Sequence, residues 1–332
     1  MFSLSPDTIP TTLVKDYNSV QYCNMIEITA LALLALAGQA MAQRPDNTSV
    51  CDYYVTTLLK DNNATNQEAL VRLVVNTAVI GNFTPNDANI NVPGILGQNQ
   101  TYNGTKVNLL PYFDGSLASS NRGGKEGVAI NFLDDGGAKP LTKGKPSDSD
   151  SSQQFKLMTH LYEYFGILLG CSLVGKPGYP AYDGAISMYQ VHKFMALDPY
   201  DFGYFVEQVA LSAASFGVAQ ADLEYVGTAL NGLFGHRCSG MDTFMPGAAP
   251  ALEAICITDD CPQAANASCS SYAKVIEPKH ANGSAVASGT NHPSGTGAPA
   301  ATSSKASGAD LTRKMCGSLM VMFALGTVYW LM

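Results

Sequence analysis

The amino-acid sequence predicts a mostly α-helical protein that carries a long irregular insertion and a disordered stalk near its C-terminal end. Four segments repeat apolar residues at the spacing of an amphipathic helix. Residues 84–150, which interrupt them, are rich in glycine, asparagine, proline and serine and contain only short β-like pieces. From about 276 to 308, serine, glycine, alanine and threonine predominate without Phe, Tyr or Trp, so this segment cannot bury a core.

The first predicted helices lie on either side of the insertion. A short helix at about 51–60 is followed by a longer one that begins at a capping box, in which Thr65 precedes Glu68 by three positions. After the insertion, a helical pattern starts at Phe155 and stops at Gly170.

A histidine occupies the apolar face of the next helical stretch, within residues 181–202. Met188, Val191, His192 and Met195 follow one another at intervals typical of one helix face. We therefore expect His192 to be buried. A buried imidazole needs a partner, because leaving its polar atoms unpaired costs about 1–3 kcal/mol.

Two more helices complete the helical region. The first has Asp198 as its N-cap, Pro199 at the first helical position and Gly217 as its end. The second covers about 221–234 and ends at Gly235. We expect one helical domain at 43–240, with the insertion at about 84–150, followed by a Cys-rich appendix at 241–275.

The first 42 residues predict export. An apolar run at 28–38 leads to the small residues Ala40 and Ala42, which is the pattern of a cleaved signal peptide. The run lies far from Met1, and Met25 is an alternative start. Residues 1–42 are thus interpreted as a leader and signal peptide.

The last residues predict attachment to a lipid. Ser307, Gly308 and Ala309 are small residues of the kind that accept a GPI anchor, and the tail at 309–332 becomes apolar to its end. A C-terminal transmembrane anchor is the alternative, but no basic residues follow the tail to hold it. We therefore expect a protein on the extracellular face of the plasma membrane or in the cell wall, with the membrane as a partner through the GPI lipid.

Glycosylation signals and cysteines agree with an exported glycoprotein. The asparagines of Asn-x-Ser/Thr sequons are Asn47, Asn63, Asn82, Asn99, Asn103, Asn266 and Asn282. The cysteines of the mature chain are Cys51, Cys171, Cys238, Cys256, Cys261 and Cys269. Three disulfides are expected. We predict a local Cys261–Cys269 bond because a short loop closes easily, with Cys256 bonded to Cys51, Cys171 or Cys238.

Several functional classes are disfavoured by the sequence. The formal net charge is −8 and no basic patch occurs, which argues against nucleic acid as a partner. The motifs of serine hydrolases, zinc proteases and nucleotide-binding loops are not found. No catalytic residue is predicted, and we do not expect an enzyme.

Short sequence matches recur at fixed spacing around His192. They are Leu169-Gly170-Cys171, Tyr182-Asp183-Gly184, Met188 with His192, Phe202 ten residues after that histidine, Gly217-Val218 fifteen residues further, and the turn at Leu110–Gly115. In these features the chain resembles the truncated haemoglobin family over roughly 51–83 and 109–238. The resemblance implies a globin-like domain in a secreted, GPI-anchored surface protein of the fungal type, with haem as its cofactor.

The resemblance also implies roles for individual residues. His192 would bind the haem iron from the proximal side. The other residues that would contact haem are His160, Leu157, Leu161, Phe113, Phe165, Met188, Phe202 and Phe205. Among them, His160 would be a sixth ligand or a hydrogen-bond donor on the distal side. The polar distal positions of the family correspond here to Asn76 or Val75 and to Leu161, so the pocket would be less polar than usual.

Two functions remain open at this point. One is a surface protein that binds haem for gas handling, oxygen included, for redox sensing or for capture of free haem. The other is a haem-free structural glycoprotein of the cell surface that keeps a globin-like fold, with cell-wall polysaccharide as a candidate partner.

Overall fold

The computed structural model describes residues 44–83 and 88–282, and within them the protein is mostly helical. Its helices are α1 (Val50–Leu59), α2 (Ala64–Ile80), α3 (Ala138–Leu141), α4 (Gln153–Leu168), α5 (Met188–His192), α6 (Pro199–Ser215) and α7 (Gln220–Phe234). The strands form two small antiparallel pairs, β1 (Gln100–Tyr102) with β2 (Thr105–Val107) and β3 (Met241–Asp242) with β4 (Ala251–Leu252). The predicted mostly α-helical class is confirmed. In the described ranges, no helix combines the length and the apolar character needed to cross a membrane.

Polar side chains cap the first turns of most helices. The N-caps of α1, α2, α4, α5 and α6 are Ser49, Asn63, Ser152, Ser187 and Asp198. The start of α2 differs from the prediction. Asn63 Oδ1 accepts the amide of Asn66, so the helix begins before Thr65 and the predicted capping box is not its N-terminus.

The helix that carries His192 is much shorter than the sequence predicted. Helix α5 has five residues and ends at His192. Ala196 has a φ of +50°, and this turn redirects the chain towards Asp198 and the start of α6. Met195 therefore lies beyond the helix, although it still packs against the core.

Helix α2 lies at the centre of the helical packing. It contacts α1, α4 and α6, and α6 also contacts α7. The largest fully buried side chains include four tyrosines, which are Tyr54, Tyr162, Tyr179 and Tyr204. Each hydroxyl donates a hydrogen bond of 2.6–2.8 Å inside the protein, so none of the four carries an unpaired polar group.

The insertion covers the helices mainly as irregular chain. Its hairpin β1–β2 turns through Asn103 and Gly104, which both have positive φ as a two-residue Asn-Gly turn requires. The next β-like stretch, at 127–133, forms isolated bridges only, such as Ser120 with Val128.

Residues 235–282 pack on the helical region. The amides of Ile255 and Cys256 both donate to the carbonyl of Phe234 at the end of α7. Further on, the amide of Ala118 donates to the carbonyl of Lys279 at 2.7 Å. The chain thus keeps backbone contacts beyond residue 276, where the sequence placed the start of the stalk.

Three disulfides join the six cysteines, and the predicted pairing is wrong. The bonds are Cys51–Cys171, Cys238–Cys269 and Cys256–Cys261. The predicted Cys261–Cys269 bond does not form because Ser268 donates its amide to the Cys238 carbonyl, which brings Cys269 to Cys238. Cys256 likewise does not bond to a distant cysteine. The amide of Cys261 donates to the carbonyl of Thr258, and the resulting turn brings Cys261 next to Cys256.

Candidate functional site

An apolar cavity lies between helices α2, α4, α5, α6 and α7. Its enclosed part has a volume of about 160 Å³, and about 1090 Å³ is free of protein atoms when the open mouth is counted. The sequence-predicted residues that line it are His192, Met188, Phe113, Leu157, Leu161, Phe165, Phe202 and Phe205. Eight of the nine predicted haem-contacting residues therefore meet in one place, which we call the His192 cavity.

His192 has one ring nitrogen committed to the protein backbone. Its Nδ1 lies 2.8 Å from the carbonyl oxygen of Met188, one helical turn earlier. A carbonyl can only accept, so Nδ1 carries the proton and donates. Burial lowers the pKa of His192, and the Met188 hydrogen bond opposes this only in part. The ring is therefore neutral at pH 7, and its Nε2 retains a lone pair.

Aromatic and aliphatic side chains form the walls of the cavity. The rings of Phe165 and Phe205 have centroids 6.4 Å apart. Phe202 is 4% exposed, and Met188 is 7% exposed. Val206, which follows Phe205 in α6, lines a separate cavity of about 50 Å³.

Two polar residues line the same cavity and were missed by the sequence reasoning. Tyr164 is buried, and its hydroxyl has no hydrogen-bond partner in the protein. It lies three residues after Leu161 on the helical stripe, so its position could have been found from the spacing alone. Asp201 is the other, and burial, with Asp198 and Glu277 nearby, raises its pKa to about 7.

The positions expected to correspond to the two polar distal residues of truncated haemoglobins contribute no polar side chain to the cavity lining. Val75 and Leu161 line it. Asn76 instead accepts a hydrogen bond from Tyr162 at 2.6 Å and donates to the Leu141 carbonyl. No lysine or arginine is among the residues that line the cavity in the described part of the chain.

His160 does not line the His192 cavity. Its Nε2 lies 2.8 Å from Oδ1 of Asp183, and the two side chains are 40% and 84% exposed. Its ring also contacts that of Tyr182 edge to face, with centroids 5.7 Å apart. The prediction of His160 as a residue lining the haem pocket is corrected, because its side chain lies on the adjoining face of α4 and bonds to Asp183 there.

The predicted glycosylation sites are all at the surface. The asparagines of the seven sequons are exposed, although Thr84 of the Asn82 sequon and both Gly283 and Ser284 of the Asn282 sequon lie outside the described residues. Ser307, Gly308, Ala309 and the leader at 1–42 also lie outside the described residues, so the export and anchoring expectations stay predictions.

Comparison of this chain with protein-family profiles, with curated proteins and with solved structures gives no match.

Proposed function

We propose that this protein binds haem in the His192 cavity, with Nε2 of His192 as the iron ligand, on a globin-like helical framework. The observation that carries the proposal is the hydrogen bond from His192 Nδ1 to the Met188 carbonyl. It fixes the tautomer and the ring orientation, and it leaves a neutral Nε2 beside an apolar cavity. Ligating histidines are typically held by a second hydrogen bond of this kind.

The size of the cavity is compatible with a cofactor that also occupies its mouth. Ligand pockets typically have volumes of about 300–1000 Å³. The enclosed 160 Å³ is smaller than this, and the 1090 Å³ that includes the mouth is slightly larger. Among the described residues no lysine or arginine lines the cavity, so its lining would offer no cationic partner to the haem carboxylates.

The remaining residues define what the site would do. Haem supplies reversible binding of a small gas or a change of iron oxidation state. Phe113, Phe165 and Phe205 provide the apolar walls that keep water away from the iron. Tyr164 offers an unpaired buried hydroxyl as a hydrogen-bond donor, a role that the sequence reasoning gave to His160.

The proposal places this activity outside the cell. Seven exposed sequons and three disulfides support export to an oxidising compartment. A GPI anchor at Ser307–Ala309 would hold the domain at the outer surface of the membrane or in the cell wall. Gas handling, redox sensing and capture of free haem all fit this location.

The test is reconstitution of the purified protein with haem. We expect a Soret band in the wild type and almost none in His192→Ala. His236→Ala is the matched control, because His236 Nδ1 also bonds a backbone carbonyl, that of Asn231 at 3.0 Å, but its side chain is outside the cavity. Added imidazole should restore the band in His192→Ala, which separates loss of the ligand from loss of the fold. Equal haem content in the wild type and His192→Ala would contradict the assignment.

A second candidate is a carrier of uncharged apolar molecules. The described residues of the lining include the carboxyl of Asp201 but no lysine or arginine, which favours an uncharged ligand over a dianionic one. Saturable binding of the neutral dye Nile red, without any Soret band after haem addition, would support this function. A haem-free structural glycoprotein would show neither signal.

A further inference from the structure

Three ionisable side chains meet on the face of α4 that adjoins the one lining the His192 cavity. His160 and Glu163 are one helical turn apart on α4, and Asp183 comes from the segment that leads to α5. Their nitrogen and oxygen ligand atoms all lie within 4.8 Å of one another. We call these residues the His160 cluster.

Glu163 makes this group unusual for a surface cluster. Its side chain is 7% exposed, and its Oε2 is buried without a hydrogen-bond partner. A buried polar atom without a partner is costly, and such atoms in folded proteins often interact with an ion or a water. Burial, followed by the nearby carboxylates of Asp183 and Glu68, raises the pKa of Glu163 to about 7. A positive ion at this position would give the buried Oε2 of Glu163 the partner that it lacks among the described residues.

The donor set has the chemistry of a divalent transition-metal site. One imidazole and two carboxylates are ligands that suit Zn²⁺, and sites with three protein ligands commonly keep a fourth position for water. Zinc lies about 2.0–2.2 Å from such ligand atoms. The three ligand atoms, now within 4.8 Å of one another, must therefore move closer together when the ion binds. The Asp183 side chain is 84% exposed and can make that adjustment.

We propose that His160, Glu163 and Asp183 bind a Zn²⁺ ion through His160 Nε2 and one oxygen of each carboxylate. On binding, the ion takes the lone pair of His160 Nε2, so the proton of the neutral ring is carried on Nδ1 after exchange through water, and any further proton on the ring or on Glu163 passes to water. No oxidation or reduction takes place. The bound ion joins α4 to residues 181–187 and therefore restrains the chain just before the His192 helix. This site is independent of the proposed haem function.

The site is tested with Zn²⁺ alone on the purified protein. Equilibrium dialysis should show one more bound Zn²⁺ in the wild type than in Glu163→Gln, and Asp183→Asn should weaken binding by about tenfold or more. His236→Asn is the control for histidine binding at the surface, and it should keep the wild-type stoichiometry. Co²⁺ should give a ligand-field absorption spectrum in the wild type that both carboxylate variants lose.

A second measurement is independent of the stability of the buried variant. Zn²⁺ should slow amide hydrogen exchange at 181–187 in the wild type but not in Asp183→Asn, whose substitution is at an exposed side chain. A wild type that binds no Zn²⁺ would overturn the proposal. Variants that bind Zn²⁺ as tightly as the wild type, or exchange that Zn²⁺ leaves unchanged, would overturn it as well.

Discussion

Helix α4 contributes to two sites, one on each of two adjoining faces. Leu157, Leu161 and Phe165 border the His192 cavity on one face. His160 and Glu163 on the other face meet Asp183 near the surface. Both sites contain a helical histidine with apolar neighbours in sequence, yet the two rings have different surroundings. His192 Nδ1 donates to a backbone carbonyl, whereas His160 Nε2 is bonded to a carboxylate.

The difference shows that burial decides which role a histidine can take. Inside the cavity the imidazole is neutral, and what it can offer a ligand is a lone pair. At the His160 cluster two carboxyl groups accompany the imidazole, and carboxyl oxygens and imidazole nitrogens are groups that can bind a cation. The cavity should therefore control the stability of the fold, and the cluster should contribute little until an ion binds.

The largest effect is expected from a substitution in the cavity wall. Phe202→Ala should lower the free energy of unfolding by about 3–5 kcal/mol, because the ring is 4% exposed and its removal leaves a void. Urea denaturation measures this. Tyr225→Ala, at an aromatic residue that is 62% exposed, is the control and should cost less than about 1 kcal/mol. Equal costs at both positions would contradict the view that the cavity wall is part of the core.

A smaller effect on stability is expected where α4 packs against Tyr179, in the segment between α4 and α5. A Cβ on Gly166 would lie 2.0 Å from the hydroxyl oxygen of Tyr179, which is fully buried and donates to the Tyr162 carbonyl. Gly166→Ala should therefore destabilise the protein by about 1–3 kcal/mol. The same substitution at Gly232 in α7, where the Cβ would meet nothing within 4 Å, should instead stabilise by about 0.5–1 kcal/mol. In thermal unfolding, the midpoint temperature should fall for Gly166→Ala and rise for Gly232→Ala.

The carboxyl at the cavity predicts a dependence on pH. Asp201 has a folded-state pKa of about 7, raised from 3.8, so between these values the folded state binds more protons than the unfolded state. Stability from this group is thus present below about pH 4 and is lost as the pH rises towards 7. Asp201→Asn should match the wild type at pH 4 and be more stable by up to about 4 kcal/mol at pH 8, because that is the free energy of a shift of about three pKa units.

Urea denaturation at pH 4, 6 and 8 measures the Asp201 effect, with the exposed Asp260→Asn as the control. A constant difference between Asp201→Asn and the wild type at all three pH values would show that Asp201 is not perturbed by burial.

The smallest effect is expected at the His160 cluster of the metal-free protein. Asp183→Asn alters a hydrogen bond between His160 and Asp183 whose two side chains are 40% and 84% exposed, and exposed polar pairs of this kind contribute about 0–1 kcal/mol. The free energy of unfolding in the presence of a chelator should therefore change by less than about 1 kcal/mol. A loss of several kcal/mol would instead show that the His160 cluster stabilises the fold as much as the cavity wall does.

Local signals in the sequence predicted most helix ends, but they predicted neither the length of α5 nor every residue of the cavity wall. Asp198 with Pro199 and the glycines at 170 and 217 begin or end helices as predicted, because these signals act within a few residues. The short α5 was not predicted, because the turn at Ala196 interrupts an apolar pattern that reads as one long helix. The cavity walls at Ile95 and Ile255 come from segments without periodicity, so only the fold brings them to His192.

The sequence by itself determined the helical class, the apolar face of His192 and the number of disulfides, because each depends on residue type and short-range spacing. Tertiary structure decided the pairing of the cysteines, the outward direction of His160 and the meeting of Glu163 with Asp183. These depend on distances between segments that are remote in the chain. Backbone hydrogen bonds and core packing set those distances, and no local pattern records them.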